Sequence, residues 1–143
     1  MKTLHTAKVI AMGGRNGRVK SVNGCIQLPL TSYDYLGRGK REGTNPEQLF
    51  GAAYSACFGN LLELLAEQQE IELRPNFSVT SKVSLQRDAT RKFQLEISLD
   101  CYLPDLSEAE ATKLIYAANE ICPYSNAMRD NVKIVFNWLS DEE

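Results

Sequence analysis

The chain has 143 residues, 43% of them hydrophobic, and 16 Lys and Arg against 18 Asp and Glu for a formal net charge of −2. That length fits one domain, with a core that stands alone or is completed by a partner subunit, and no second domain is expected. The slightly acidic balance, with basic residues scattered apart from Arg38, Lys40 and Arg41, offers no nucleic-acid face.

The opening MKTLHTAKVIAMGG has no apolar run of the kind a secretory signal needs, and no segment is expected to span a membrane. A cytoplasmic protein is the expectation, and there paired cysteines lean towards catalysis or sensing rather than structural disulfides. Cysteines stand at 25, 57, 101 and 122, without a C-x-x-C pair, and the single histidine is His5. No metal site is expected from that set.

In chain order, Leu4 to Met12 mixes apolar and polar residues as a strand does. Asn16-Gly17 and Asn23-Gly24 follow, the dipeptide suited to type I′ turns, so a three-stranded meander over 4–12, 18–22 and 25–30 is predicted. Arg15 then sits beside the first turn; by position alone it is an exposed loop arginine. Cys25, in CIQLPL, has no activating neighbour in sequence and reads as structural. Residues 31–43, TSYDYLGRGKREG, with three glycines and three basic residues, read as a surface loop, with a lid role as the minor alternative.

Thr44 or Asn45 caps the next element and Pro46 suits its first position. From Glu47 to Glu63 no charge interrupts the sequence. Leu49, Phe50, Ala53, Ala56, Cys57, Leu61, Leu64 and Leu65 recur at helical spacing, and Tyr54, Phe58 and Leu62 spread apolar character over the other faces. A helix apolar nearly all round is a buried one, and from Asn45 it would run about 35 Å. Tyr54, Ser55 and Asn60 make it too polar for a membrane span. Cys57 lies in its middle; taken alone, a buried cysteine usually packs as a small hydrophobe. Glu47 in the first turn suits the helix dipole.

Residues 77–86 and 93–101 alternate apolar and polar, forming two strands of a hairpin around the polar turn 88–92. Cys101 falls on the dry face as a core filler. Ser107 with Glu110 forms a capping box that opens a helix with Leu114, Ala118, Ile121 and Cys122 on one face, ended by Pro123. Cys122 thus lies in a last turn, where the helix dipole opposes a thiolate. Pro123 to Asn126 reads as a stop and turn, and Val132, Ile134, Phe136 and Trp138 as a final strand. The class is α+β, with antiparallel strands at both ends of the chain packed around a long buried central helix.

Three separated stretches, GGRNGRVKS at 13–21, GTNPEQLFGAAYSACF at 43–58 and CPYSNAMRDN at 122–131, closely resemble the organic hydroperoxide resistance branch of the Ohr/OsmC superfamily. The resemblance extends, with less identity, over almost the whole chain. It implies a thiol peroxidase that reduces organic hydroperoxides, fatty-acid hydroperoxides included, to alcohols. It implies no bound cofactor, a dihydrolipoyl group on a lipoylated protein as electron donor, and an intertwined homodimer with the central helices in its middle. By the same resemblance Cys57 is the peroxidatic cysteine, Cys122 the resolving one, Arg15 the holder of the thiolate and Glu47 the carboxylate that orients Arg15. The loop 31–43 is richer in aromatic and basic residues than the family's, and Met128 and Asp130 stand where threonine and glycine are usual.

Elementary chemistry constrains that picture. An unperturbed cysteine is a few per cent thiolate at neutral pH, so complete ionisation yields a factor of only ~30, and further acceleration must come from positioning and charge stabilisation. The fork of donors on Arg15 serves both. Phe50, Tyr54 and Phe58 are candidates to hold an alkyl tail, although such aromatics are more often core. Glu47 and Cys57, ten residues apart, lie about 15 Å from one another on an unbroken helix. Either the helix bends near Gly51, or Arg15 bridges the gap, or the carboxylate comes from a partner subunit. The alternatives are the osmotically inducible branch of the superfamily, a peroxidase with overlapping chemistry, and, from a different class, a non-enzymatic redox sensor or hydrophobic-ligand carrier on the same fold.

Overall fold

The computed structural model describes residues 1–31 and 42–141. They fall into two compact units, one running to Leu49 and one beginning at Phe50. Two three-stranded sheets and a long helix between them in sequence make the class α+β.

The first unit holds the expected meander with shorter strands: β1 (Val9–Met12), β2 (Arg18–Ser21) and β3 (Gln27–Pro29), antiparallel in that order. Both connections depart from the type I′ expectation, because that turn needs left-handed backbone at both central residues. Among the described non-glycine residues only Glu70, Arg91, Asp105 and Asp130 have positive φ, so neither Asn16 nor Asn23 supplies it. Instead Gly13 (φ 76°) and Gly14 (φ 61°) lead into a short 3-10 turn, Gly14–Asn16. At the second connection the Asn23 side chain accepts from the Cys25 amide at 3.1 Å, and Ser21 N–H bonds to the Ile26 carbonyl at 2.9 Å. Cys25 is therefore an exposed loop residue ahead of β3, not a residue of the strand expected over 25–30.

Of the loop expected over 31–43, residues 32–41 lie outside the described residues. Just beyond it Thr44 forms a parallel bridge with Leu30: its amide donates to the Pro29 carbonyl and its carbonyl accepts from Thr31 N–H, both at 2.9 Å. Asn45 is the cap, its Oδ1 accepting from Gln48 N–H at 2.8 Å, and Pro46 opens the helix α1 (Pro46–Gln68).

Within the second unit the buried positions of α1 are Gly51, Tyr54, Phe58, Leu62 and Ala66. That spacing is one stripe, and the helix is not buried on all faces as expected: Ala52, Ala56, Asn60 and Leu64 are exposed. Contrary to the sequence reading, the 23-residue helix is long and apolar enough to cross a membrane, with a mean hydropathy of 1.4 over its best window. Its stripe packs instead with Ile97, Leu99, Leu114 and Ala118, as a core helix does.

The strands β4 (Ser78–Arg87) and β5 (Phe93–Tyr102) form the predicted hairpin, in register from Ser78–Tyr102 to Arg87–Phe93. The last strand, β6 (Ile134–Leu139), pairs with β5 in parallel, which corrects the all-antiparallel expectation. A parallel neighbour requires a crossover, and α2 (Glu108–Ile121) followed by α3 (Pro123–Met128) provides it. Residues 123–126, read as a stop and turn, are thus the start of α3. Ser81 faces α1, where it donates to the Gly51 carbonyl at 2.9 Å and accepts from Ser55 at 2.9 Å. A Cβ at Gly51 would stand 2.8 Å from Ser81 Oγ, so helix and strand meet there because the residue is glycine.

The capping box is present in full: Ser107 Oγ accepts from Glu110 N–H at 3.2 Å, and the Glu110 carboxylate accepts from Ser107 N–H at 2.9 Å. Of the face expected on α2, Leu114 and Ala118 are buried with Ala111 and Ile115, whereas Ile121 is exposed. Ser107→Ala is expected to lower the free energy of unfolding by about 1 kcal/mol in denaturant titration, from the lost cap. A loss below about 0.3 kcal/mol would show that the cap adds little to α2.

Candidate active site

Two side-chain constellations emerge, one in each unit. In the first, Arg15 and Glu47 form a two-pronged ion pair, Nη1 to Oε2 at 3.0 Å and Nη2 to Oε1 at 2.5 Å. Backbone contacts explain why residues so distant in sequence meet. Leu30 N–H donates to the Gly17 carbonyl at 2.8 Å, tying the end of β3 to the turn that carries Arg15, and the Leu30–Thr44 bridge sets the first turn of α1 beside it. Gly17 is required there, because a Cβ would lie 1.6 Å from the Met12 carbonyl oxygen. The hydrogen bond from Arg15 holds the Glu47 carboxyl below its usual range, and the bond to Glu47 raises the guanidinium further. Arg15 keeps 43% of its side chain exposed, so the pair is a positioned cation rather than a buried salt bridge.

In the second unit, Cys57 on α1 and Cys122 are free thiols close enough for one to act electrostatically on the other. Cys57 is half-buried against the core and Cys122 is fully buried. Cys122 is not in the last turn of α2, as the sequence reading had it. It is the joint, in extended conformation (φ −68°, ψ 124°), at once the C-cap of α2 and the N-cap of α3. The two helix ends that meet there act on it in opposite senses, so the objection from a single dipole lapses. Burial pushes the Cys57 thiol up, and the adjacent Cys122 pushes it further in the same direction. Left to these surroundings, Cys57 is a thiol at neutral pH and needs a cation to become a nucleophile.

Around the joint, Arg129 donates to the Asn119 carbonyl and to Asn126 Oδ1, each at 2.9 Å, and pairs with Glu120 at 3.4 Å, fastening the end of α2 to α3. Tyr54 Oη and Ser125 Oγ meet at 2.6 Å in the interior. Of the aromatic candidates for a ligand tail, Tyr54 and Phe58 are wholly buried and pack as core; Phe58 stacks on Phe136 with ring centroids 5.3 Å apart. Only Phe50 reaches open space, in a cleft of about 840 Å³ also lined by Leu85, Phe93, Leu95, Met128 and Val132. Neither thiol is among its described lining residues.

The other cysteine of the second unit is inert. Cys101 has no exposure, and its thiol is pushed up to about 12 by burial and then by the neighbouring Asp100. Asp100 escaped the sequence reading, as it sits on the face of β5 expected to be wet. It is buried, accepts from Asn137 Nδ2 at 2.7 Å and pairs with Lys82 at 2.9 Å; the hydrogen bond from Asn137 and then Lys82 keep it ionised. Arg129 was also missed, because a side chain that bridges one backbone carbonyl, an amide oxygen and a carboxylate leaves no sequence signal. Among the described residues no group of three His, Cys, Asp or Glu side chains is placed to hold a metal ion.

A family model described as OsmC-like protein matches residues 37–137. The organic hydroperoxide resistance protein OhrB of Bacillus subtilis is 41% identical over 132 residues, 92% of this chain and 95% of that one. The organic hydroperoxide resistance protein of Xanthomonas axonopodis pv. citri is 36% identical over 133 residues, 93% of each. The crystal structure of B. subtilis OhrB superimposes with a TM-score of 0.87 at 38% identity, covering 96% of this chain and all of the other.

Proposed function

This chain belongs to the OsmC-like family, in the branch of the organic hydroperoxide resistance proteins, and on that premise we propose that it is a thiol peroxidase that reduces organic hydroperoxides. The observation that carries the reading is the pairing of two free thiols, Cys57 on α1 and Cys122 at the α2–α3 joint, close enough for one to act on the other. Cys57, the more accessible of the two, attacks one peroxide oxygen as its thiolate; the O–O bond breaks, the alcohol leaves after taking a proton, and Cys57 becomes a sulfenic acid. The Cys122 thiol displaces water from that sulfur to give a Cys57–Cys122 disulfide, which protects the sulfenic acid from further oxidation. A dihydrolipoyl donor then reduces the disulfide to two thiols and is itself oxidised to the cyclic disulfide.

Arg15 supplies the missing cation in this scheme. Its fork is held by Glu47, and a guanidinium so fixed stabilises both the thiolate and the alkoxide that develops on the leaving oxygen. The apolar surroundings of Cys57 favour an alkyl hydroperoxide over hydrogen peroxide. A homodimer in which α1 of each chain covers the exposed Ala52, Ala56 and Leu64 face of the other suits the helix seen here. A cytoplasmic setting, with its reducing donors, suits the free thiols.

The test is consumption of cumene hydroperoxide and of hydrogen peroxide by the purified protein, with dihydrolipoamide as reductant. Catalytic turnover faster on the organic peroxide is expected. Oxidation of one equivalent without turnover would replace the enzyme by a redox sensor.

A further inference from the structure

We propose that the Tyr54–Ser125 hydrogen bond is a positioning element for the thiol pair: it holds the segment bearing Cys57 against the segment bearing Cys122, and so sets how readily the two sulfurs join. This deepens the function proposed above and rests on its thiol chemistry.

Tyr54 precedes Cys57 by three residues on α1, and Ser125 follows Cys122 by three residues in α3. Residues three apart on a helix are surface neighbours, so each hydroxyl lies one turn from a thiol-bearing position. The 2.6 Å contact between them is the one side-chain hydrogen bond from α1 to α3 among the described residues. Both side chains are buried, at 0% and 2% exposure. A hydroxyl pair in a dry interior is directional and has no water to replace it, so its loss is felt as lost alignment. The Tyr54 ring is fixed independently, with centroids 6.2 Å from Phe50, 6.2 Å from Phe58 and 5.8 Å from Tyr124. Removing the phenolic oxygen therefore leaves the ring in place and deletes the brace alone. A disulfide needs its Cα atoms within about 7 Å, a tolerance that a loosened joint exceeds part of the time.

The readout is the equilibrium Cys57–Cys122 dithiol plus glutathione disulfide to protein disulfide plus two glutathiones, in which two electrons and two protons pass from the protein to the glutathione pool. It is measured for the unaltered chain, Tyr54→Phe, Ser125→Ala, the double variant and Ser125→Thr, beside the melting temperature of each reduced form. Each single variant is expected to lower the equilibrium constant about tenfold, a rise of about 30 mV in reduction potential. The double variant is expected to fall no further than either single one, and Ser125→Thr, which keeps the hydroxyl, to retain most of the unaltered value. Single variants within about twofold of the unaltered constant would overturn the positioning role even if their melting temperatures fell, as would fully multiplicative effects in the double variant. If Tyr54→Phe does not fold, Ser125→Ala and Ser125→Thr decide the question alone. No disulfide in the unaltered chain would remove both this role and the two-thiol mechanism. A Tyr54-dependent disulfide in a protein without peroxide turnover would remove the peroxidase and leave the brace.

Discussion

Cys57→Ser is expected to reduce organic hydroperoxide turnover to the uncatalysed background, because a serine hydroxyl in the same half-buried position is neither ionised at neutral pH nor able to form a sulfenic acid. Cys122→Ser separates the two thiol roles. Its first turnover is expected to proceed, since the attacking sulfur remains. The sulfenic acid then has no adjacent thiol, and repeated peroxide additions drive it to sulfinic acid, visible as a gain of two oxygens on Cys57 by mass spectrometry. Among the described residues, Cys101 is sealed in the core with its thiol pushed up to about 12, and the exposed Cys25 is replaced by serine in both proteins so that it cannot stand in for Cys122. Equal turnover in Cys57→Ser would eliminate the peroxidase mechanism; unimpaired cycling in Cys122→Ser would assign resolution to the external donor.

Arg15→Ala is expected to lower the organic hydroperoxide rate about 10²–10³-fold, the range for losing one preorganised charge-stabilising donor. The pH profile distinguishes this from a local folding defect. In its own unit the Cys57 thiol is pushed upward by burial and by Cys122, so its thiolate fraction at neutral pH lies below that of a free cysteine. With Arg15 as the cation, half-maximal alkylation of Cys57 by iodoacetamide falls below the ordinary cysteine range. Without it the midpoint moves above that range, so Arg15→Ala regains activity as pH rises. Arg15→Lys is expected to recover part of the shift and less of the rate, because an ammonium supplies charge without the two-pronged geometry seen with Glu47. Glu47→Gln keeps the cation and loosens its orientation, placing its rate between the unaltered chain and Arg15→Ala. An unchanged alkylation midpoint in Arg15→Ala would take Arg15 out of the thiol chemistry.

The boundary between what sequence determines and what packing determines runs through particular residues here. Local chemistry is legible. The Ser107–Glu110 box, the Asn45 cap with Pro46 behind it, and the alternation that makes β4 and β5 a hairpin are all decided by atoms within a few positions of one another. Family likeness adds Cys57, Cys122, Arg15 and Glu47 as candidates, because those residues sit inside long matching stretches.

Tertiary structure decides the rest, because burial and long-range partners are properties of surfaces that meet from distant parts of the chain. Periodicity marked α1 as apolar on most sides, but only packing selects Tyr54, Phe58, Leu62 and Ala66 as the buried stripe and leaves Leu64 outside. Alternation placed Asp100 on a wet face, and the arrival of β6 beside β5 buried it with Asn137 and Lys82 as partners. Pro123 was legible as a helix stop, yet its fixed φ serves equally to begin a helix, and the structure uses it to start α3 and turn Cys122 into a joint. The proximity of Cys57 to Cys122, and the hydroxyl pair, exist only once α1 and α3 are packed together. Sequence therefore nominated the groups proposed to carry the chemistry, and the fold alone determined which groups lie near one another.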